Sequence, residues 1–189
     1  MRNDFNTTTT RGHAFFVYGD DNERLNIITE YFRQGLENNE LCIFVTPEAP
    51  KEVVKNFGKK DLDLRGAVDE GAFRIFEMNS TYLPNGQFVA EYMLSNIRIF
   101  LEESKLQGFS GLRTAGEMAW LIEHPELHQE ATLYEKEVND VAKPDANFVG
   151  LCLYPLEEQH EEIINQAAET HPSFILDGQA HRNLAFAFA

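Results

Sequence analysis

Basic charge and cysteine are both scarce in this chain, and each scarcity excludes something. Sixteen Lys and Arg stand against thirty-one Asp and Glu, a formal net charge of −15 over 189 residues. A surface of that sign repels phosphate backbones and anionic lipid headgroups, so direct nucleic-acid binding and membrane docking are not expected. The two cysteines, Cys42 and Cys152, sit inside the apolar runs LCIFV and VGLCLYP without metal-ligand spacing. Nothing else points to secretion, so buried free thiols in a reducing compartment are expected rather than a disulfide. No stretch reaches the ~20 apolar residues of a membrane span, and the opening MRNDFNTTTTRG has no apolar leader core. The expectation is a cytoplasmic protein.

Catalytic signatures are missing as well. There is no HExxH, no nucleophile-elbow serine and no dinucleotide fingerprint. His124 and His128 have the i, i+4 spacing of a metal pair, but Pro125 starts a helix between them and separates their faces. No enzymatic activity, metal or cofactor is therefore expected.

What is present is apolar mass: 43% hydrophobic residues and fifteen Phe, too much for a disordered chain and enough for the core of one domain. Residues 1–12 read as a polar, Thr-rich lead-in and residues 13–183 as the domain. Apolar runs suited to buried strands occur at HAFFVYG, LCIFVTP, FRIFEM, SGLRTAGEM and NFVGLCLYP, with a shorter strand or hairpin arm in HPSFILDG. Helical spacing separates them: Leu25, Ile28, Phe32 and Leu36; Val53, Val54 and Phe57; Met93, Ile97, Phe100, Leu101 and Leu106; Leu127, Ala131, Tyr134 and Val138; then 156–168. Gly35 is expected to help end the first helix, NSTYLPNGQF to form a loop, Gly116 to turn the chain sharply, and Pro144 to stop the helix over 126–141. The alternating LAFAFA of residues 184–189 suggests a tail or an edge strand. Strands alternating with helices predict an α/β fold with a mainly parallel sheet flanked by helices.

In such sheets ligands bind beyond the carboxyl ends of the strands. The turn after the first strand, Tyr18-Gly19-Asp20-Asp21-Asn22, stands where a phosphate loop would, yet it has one glycine, no Lys-Ser/Thr pair and carboxylates facing the phosphates. Asp21 or Asn22 also suits a helix N-cap. After the fourth strand, Arg113, Gly116, Glu117 and Trp120 combine polar anchors with apolar surface, as a small-molecule pocket requires. The same residues fit a plainer arrangement, with Trp120 in the core and Glu117 paired with Arg113 or capping a helix. The candidate ligand-binding set is Tyr18, Asp20, Tyr82, Arg113, Glu117 and Trp120.

Five phrases, HAFFVYGDDNERLNIITEYFRQGLENNELCIFVTPE, TYLPNGQF, GFSGLRTAGEMAW, ANFVGLCLYP and THPSFILDG, resemble the MEDS domain, the methanogen/methylotroph sensory domain. The resemblance covers residues 13–183 and matches at His13, Tyr18, Tyr82, Arg113, Gly116, Glu117 and Trp120. It implies a three-layer core similar to RecA and KaiC that has lost its nucleotide loop. It also implies signal transduction or transcription regulation in response to a small molecule, such as a hydrocarbon derivative. Output would pass through a partner such as a histidine kinase or transcription regulator, or through a homodimer. An atypical nucleotide-binding protein or ATPase using Glu117 and Arg113, and a non-catalytic scaffold, are the alternatives.

Overall fold

Seven strands form one sheet in the order β3-β2-β4-β5-β1-β6-β7. The strands are β1 (Gly12–Tyr18), β2 (Leu41–Thr46), β3 (Phe73–Glu77), β4 (Leu112–Glu117), β5 (Phe148–Pro155), β6 (Ser173–Leu176) and β7 (Gln179–Arg182). The computed structural model describes residues 12–142, 147–156 and 161–188; the expected lead-in over 1–12, except Gly12, and the stop at Pro144 fall outside that range. Every pairing is parallel except β6 with β7, a hairpin closed by Asp177 and Gly178, both at positive φ. Parallel central strands are covered on both faces, which is why β2 is buried at all six positions and reads as an unbroken apolar run.

Helices α1 (Asp21–Glu37), α2 (Pro50–Gly58) and α3 (Arg65–Asp69) cover one face. On the other lie α4 (Met78–Tyr82), α5 (Ala90–Leu106), α6 (Trp120–Glu123), α7 (His128–Val141) and α8 (Glu161–Thr170). The α1 face is packed with Phe32, Phe44, Phe57 and Phe73, whose tilted and edge-on rings lie 4.8–6.1 Å apart. Quadrupole contacts of this kind add roughly 0.5–1.5 kcal/mol per pair beyond area burial.

The structure corrects several local expectations. NSTYLPNGQF is not an open loop: it holds most of α4 and a 3-10 turn at Pro84–Gly86, with Tyr82 buried. Gly35 lies inside α1, and a Cβ there would come within 2.6 Å of Arg113 Cδ and 2.7 Å of Cys42 Sγ, so its role is clearance rather than termination. Gly116 does not turn the chain; it is a paired residue of β4, and the Tyr82 hydroxyl occupies the space a Cβ would need. Leu106 is 86% exposed, because it lies on the outer face of α5 at seven-residue spacing from the exposed Ile99 and Tyr92. The edge strand is β7, whereas Ala185–Phe188 close into a 3-10 turn.

Candidate functional site

β4 carries the site because its alternate residues serve opposite faces of the sheet. Arg113, Ala115 and Glu117 face α1, while Leu112, Thr114 and Gly116 face α5 and α7. Glu117 ends the strand beneath the first turn of α1. There Arg24 Nη1 donates to Glu117 Oε1 at 2.6 Å and Arg24 Nη2 to Glu48 Oε1 at 2.7 Å. Tyr18 donates its hydroxyl to Glu117 Oε2 at 3.2 Å, and Asn56 binds the second oxygen of Glu48. Arg24, on the first turn of α1, is thus the centre of a buried charge network.

Burial pushes the Glu117 carboxyl up to about 7, against the pull of Arg24 and of the Tyr18 hydrogen bond. Burial opposes the charge of Arg24, but Glu117 and Glu48 more than offset it and hold the guanidinium firmly protonated. Folded Glu117 therefore keeps a proton through a pH window in which the unfolded chain, with its ordinary value of 4.5, has already lost it. Its contribution to stability falls as pH rises through that window and levels off above it. Relative to Glu117→Gln, the wild type should lose up to about 3 kcal/mol between pH ~4.5 and ~7. Urea denaturation of both proteins across this range checks the sign.

The first turn is already occupied by the chain's own carboxylates. Asp20 is the N-cap of α1, with Oδ1 accepting from Asn22 N at 2.9 Å and Glu23 N at 2.8 Å. Gly19 N donates to Glu23 Oε2 at 2.8 Å. These are the backbone donors a phosphate would need, and each has an internal anion.

Of the candidate residues only Tyr18 and Glu117 share a hollow, an open cleft of about 630 Å³ at the strand ends that Arg24, Glu48, Lys59 and Lys60 also line. Tyr18 and Glu117 meet, with Asp20 close in the chain at the head of α1. Arg113 lies four residues down β4 from Glu117, about 13 Å at ~3.3 Å per residue. It is bound instead to Glu40 at 2.5 Å, with its guanidinium 4.6 Å from the Tyr31 ring. α1 runs antiparallel to β4, so each of its ends meets a different charged residue of the strand. Tyr82 and Trp120 lie on the far face of the sheet. There Trp120 is sandwiched between Tyr82 at 5.2 Å and Phe88 at 5.1 Å, buried as a core residue.

That far face holds a cavity of about 310 Å³ between the sheet and helices α4, α5 and α7. Ile43, Val45, Tyr82, Met93, Ile97 and Phe100 make its walls, and Ser80, Thr81, Tyr92 and Asn96 its more exposed rim. At the floor, His13 and Cys152 belong to a buried cluster with Glu135 and His171. Well-packed interiors leave few voids larger than one water, so a space of this size is a pocket rather than a packing fault. The signal that this face mattered was weak: Met93, Ile97 and Phe100 read as core at helical spacing, and that reading holds for a cavity wall equally well.

Fold and site together define an α/β domain with a self-occupied first turn on one side and a roomy apolar cavity on the other. Residues 12–172 match the family described as MEDS, the methanogen/methylotroph, DcmR sensory domain, and the chain belongs to that family. Comparison with curated proteins finds no match. The family is sensory, which assigns the domain a sensory regulatory role. Among the described residues no helix is long and apolar enough to cross a membrane.

Proposed function

We propose that this domain senses a small, largely apolar molecule held in the cavity between the sheet and α5, and passes the signal to a protein partner. The observation that carries the reading is the cavity itself, with apolar walls and a polar rim. It differs in place from the open cleft at the strand ends, where Tyr18, Arg24, Glu48 and Glu117 are hydrogen-bonded to one another. α5 links the cavity to the surface: Met93, Ile97 and Phe100 face inward, while Tyr92, Ile99 and Leu106 recur at seven-residue spacing and are 47%, 59% and 86% exposed. A shift of α5 on ligand binding would therefore move an apolar outer stripe suited to protein association. A nucleotide at the first turn would have to displace Asp20 and Glu23, and Arg113 is too far from Glu117 to act with it. The enzymatic alternative has less geometric support.

Trp120 is the sole tryptophan and stacks on Tyr82, a cavity wall residue, so its fluorescence reports on occupancy. Titration with n-butanol, n-hexanol and benzene should give a saturable change with at least one of them. At a hundredfold excess over Kd the melting temperature should rise by roughly 5–10 °C. Ile97→Phe, which adds bulk at the cavity wall, should weaken both effects. No saturable response to any of these probes, or a response unchanged in Ile97→Phe, would overturn the reading.

A further inference from the structure

Four elements converge below the cavity to bring together two imidazoles, a thiol and a carboxyl. His13 comes from β1, Glu135 from α7, Cys152 from β5 and His171 from the segment leaving α8. Their exposures are 3%, 2%, 9% and 0%, and their donor atoms all lie within 4.8 Å of one another. His13 Nε2 is 3.1 Å from Glu135 Oε2 and 3.3 Å from Cys152 Sγ. Glu135 Oε2 is 3.6 Å from Cys152 Sγ and 3.5 Å from His171 Nε2. A tetrahedral zinc ion with bonds of about 2.0–2.1 Å to N and O and about 2.3 Å to S has ligand–ligand edges of roughly 3.3–3.6 Å. Three of these four spacings fall in that range, the fourth is 3.1 Å, and no pair of the donor atoms is more than 4.8 Å apart.

The hydrogen bonding around His171 gives independent support. Its Nδ1 lies 2.8 Å from Ala167 O, which can only accept, so Nδ1 carries the proton and Nε2 presents a lone pair. That Nε2 is fully buried, has no hydrogen bond, and points toward the other three groups. A ring held by one nitrogen on a backbone carbonyl, with the other free, is the arrangement of a metal-ligating histidine. Opposite His13 on β5 stands Gly150, where a Cβ would come within 3.3 Å of the His13 ring, so the strand leaves the ring its place.

We propose that His13, Glu135, Cys152 and His171 form a binding site for one divalent transition metal ion, of which Zn²⁺ is the best fit. A thiolate and a carboxylate supply two negative charges that balance the cation, and the mixed imidazole, sulfur and oxygen set suits zinc better than the all-oxygen preference of magnesium or calcium. His13 and Cys152 also line the cavity, which places the ion at its floor. The inference does not depend on the apolar-ligand reading: Glu135 and His171 lie outside the cavity lining, and the four donor atoms meet whether or not a molecule sits above them.

The test is titration of chelator-treated, folded wild-type protein with Co²⁺, a spectroscopic stand-in for Zn²⁺. One equivalent should produce the visible bands of tetrahedral cobalt and a near-ultraviolet sulfur-to-cobalt band, and Zn²⁺ should displace both. Cys152→Ser should remove the sulfur band and weaken Zn²⁺ binding at least about tenfold, while Cys42→Ser leaves both unchanged. Added Zn²⁺ should also raise the wild-type melting temperature. Absence of cobalt bands in folded wild type would show a purely hydrogen-bonded cluster and overturn the proposal; so would a sulfur band that survives Cys152→Ser.

Discussion

Replacing Arg24 with Met should destabilise the domain by about 3–5 kcal/mol above neutral pH, the cost of leaving a buried carboxylate without its counter-charge. The Glu117 side chain is 2% exposed and that of Arg24 11%, so solvent offers Glu117 little relief. The loss should shrink toward pH ~5, because unpartnered Glu117 then takes up a proton rather than remaining charged. Arg24→Met/Glu117→Leu should recover most of the deficit, since an ion pair replaced whole by apolar groups is often neutral or better. Urea denaturation of the two single variants and the double variant measures the coupling. A double variant no more stable than Arg24→Met alone would mean that Glu48, 22% exposed at its side chain, carries the pairing instead.

Trp120→Ala should cost about 3–5 kcal/mol for a different reason, the loss of a large buried ring and the space left behind. Trp120 fills the gap between Tyr82 and Phe88, and Phe88 in turn meets Tyr134 edge-on at 5.6 Å. Collapse is hindered because those rings are each held by further core contacts. A fall of roughly 8–15 °C in melting temperature is expected. Trp120→Phe, which keeps an aromatic ring in the stack, should retain more than half of the difference. Calorimetric melts of the three proteins decide this, and an alanine variant within a few degrees of wild type would show that the stack repacks.

The strands and long helices were legible because their patterns are long: an unbroken run such as LCIFVT, or Met93, Ile97 and Phe100 at helical spacing. The short helices α3, α4 and α6 were not, since four or five residues cannot establish a period. Glycine misled twice, at Gly35 and Gly116, where clearance for a distant side chain mattered more than backbone freedom. Glu117 and Tyr18 were legible as candidate residues from their places at strand ends, though not as a pair. Arg24 was missed as their partner because a cation early in a helix ordinarily faces water. The same limit hid Glu135 and His171, which reach His13 and Cys152 only through the packing of α7 and α8 against the sheet. No local spacing records that meeting.

Two ion pairs, one at each end of α1, have a mechanical consequence. Arg24 to Glu117 fastens one end of the helix, and Arg113, bound to Glu40 just beyond the helix, lies against the other. Sliding α1 by a single residue would turn its side chains by about 100° and break the first bond. One flank of the sandwich is therefore bolted to the sheet like a workbench. Adjustment is left to the opposite flank, where there is empty volume to take up the stroke.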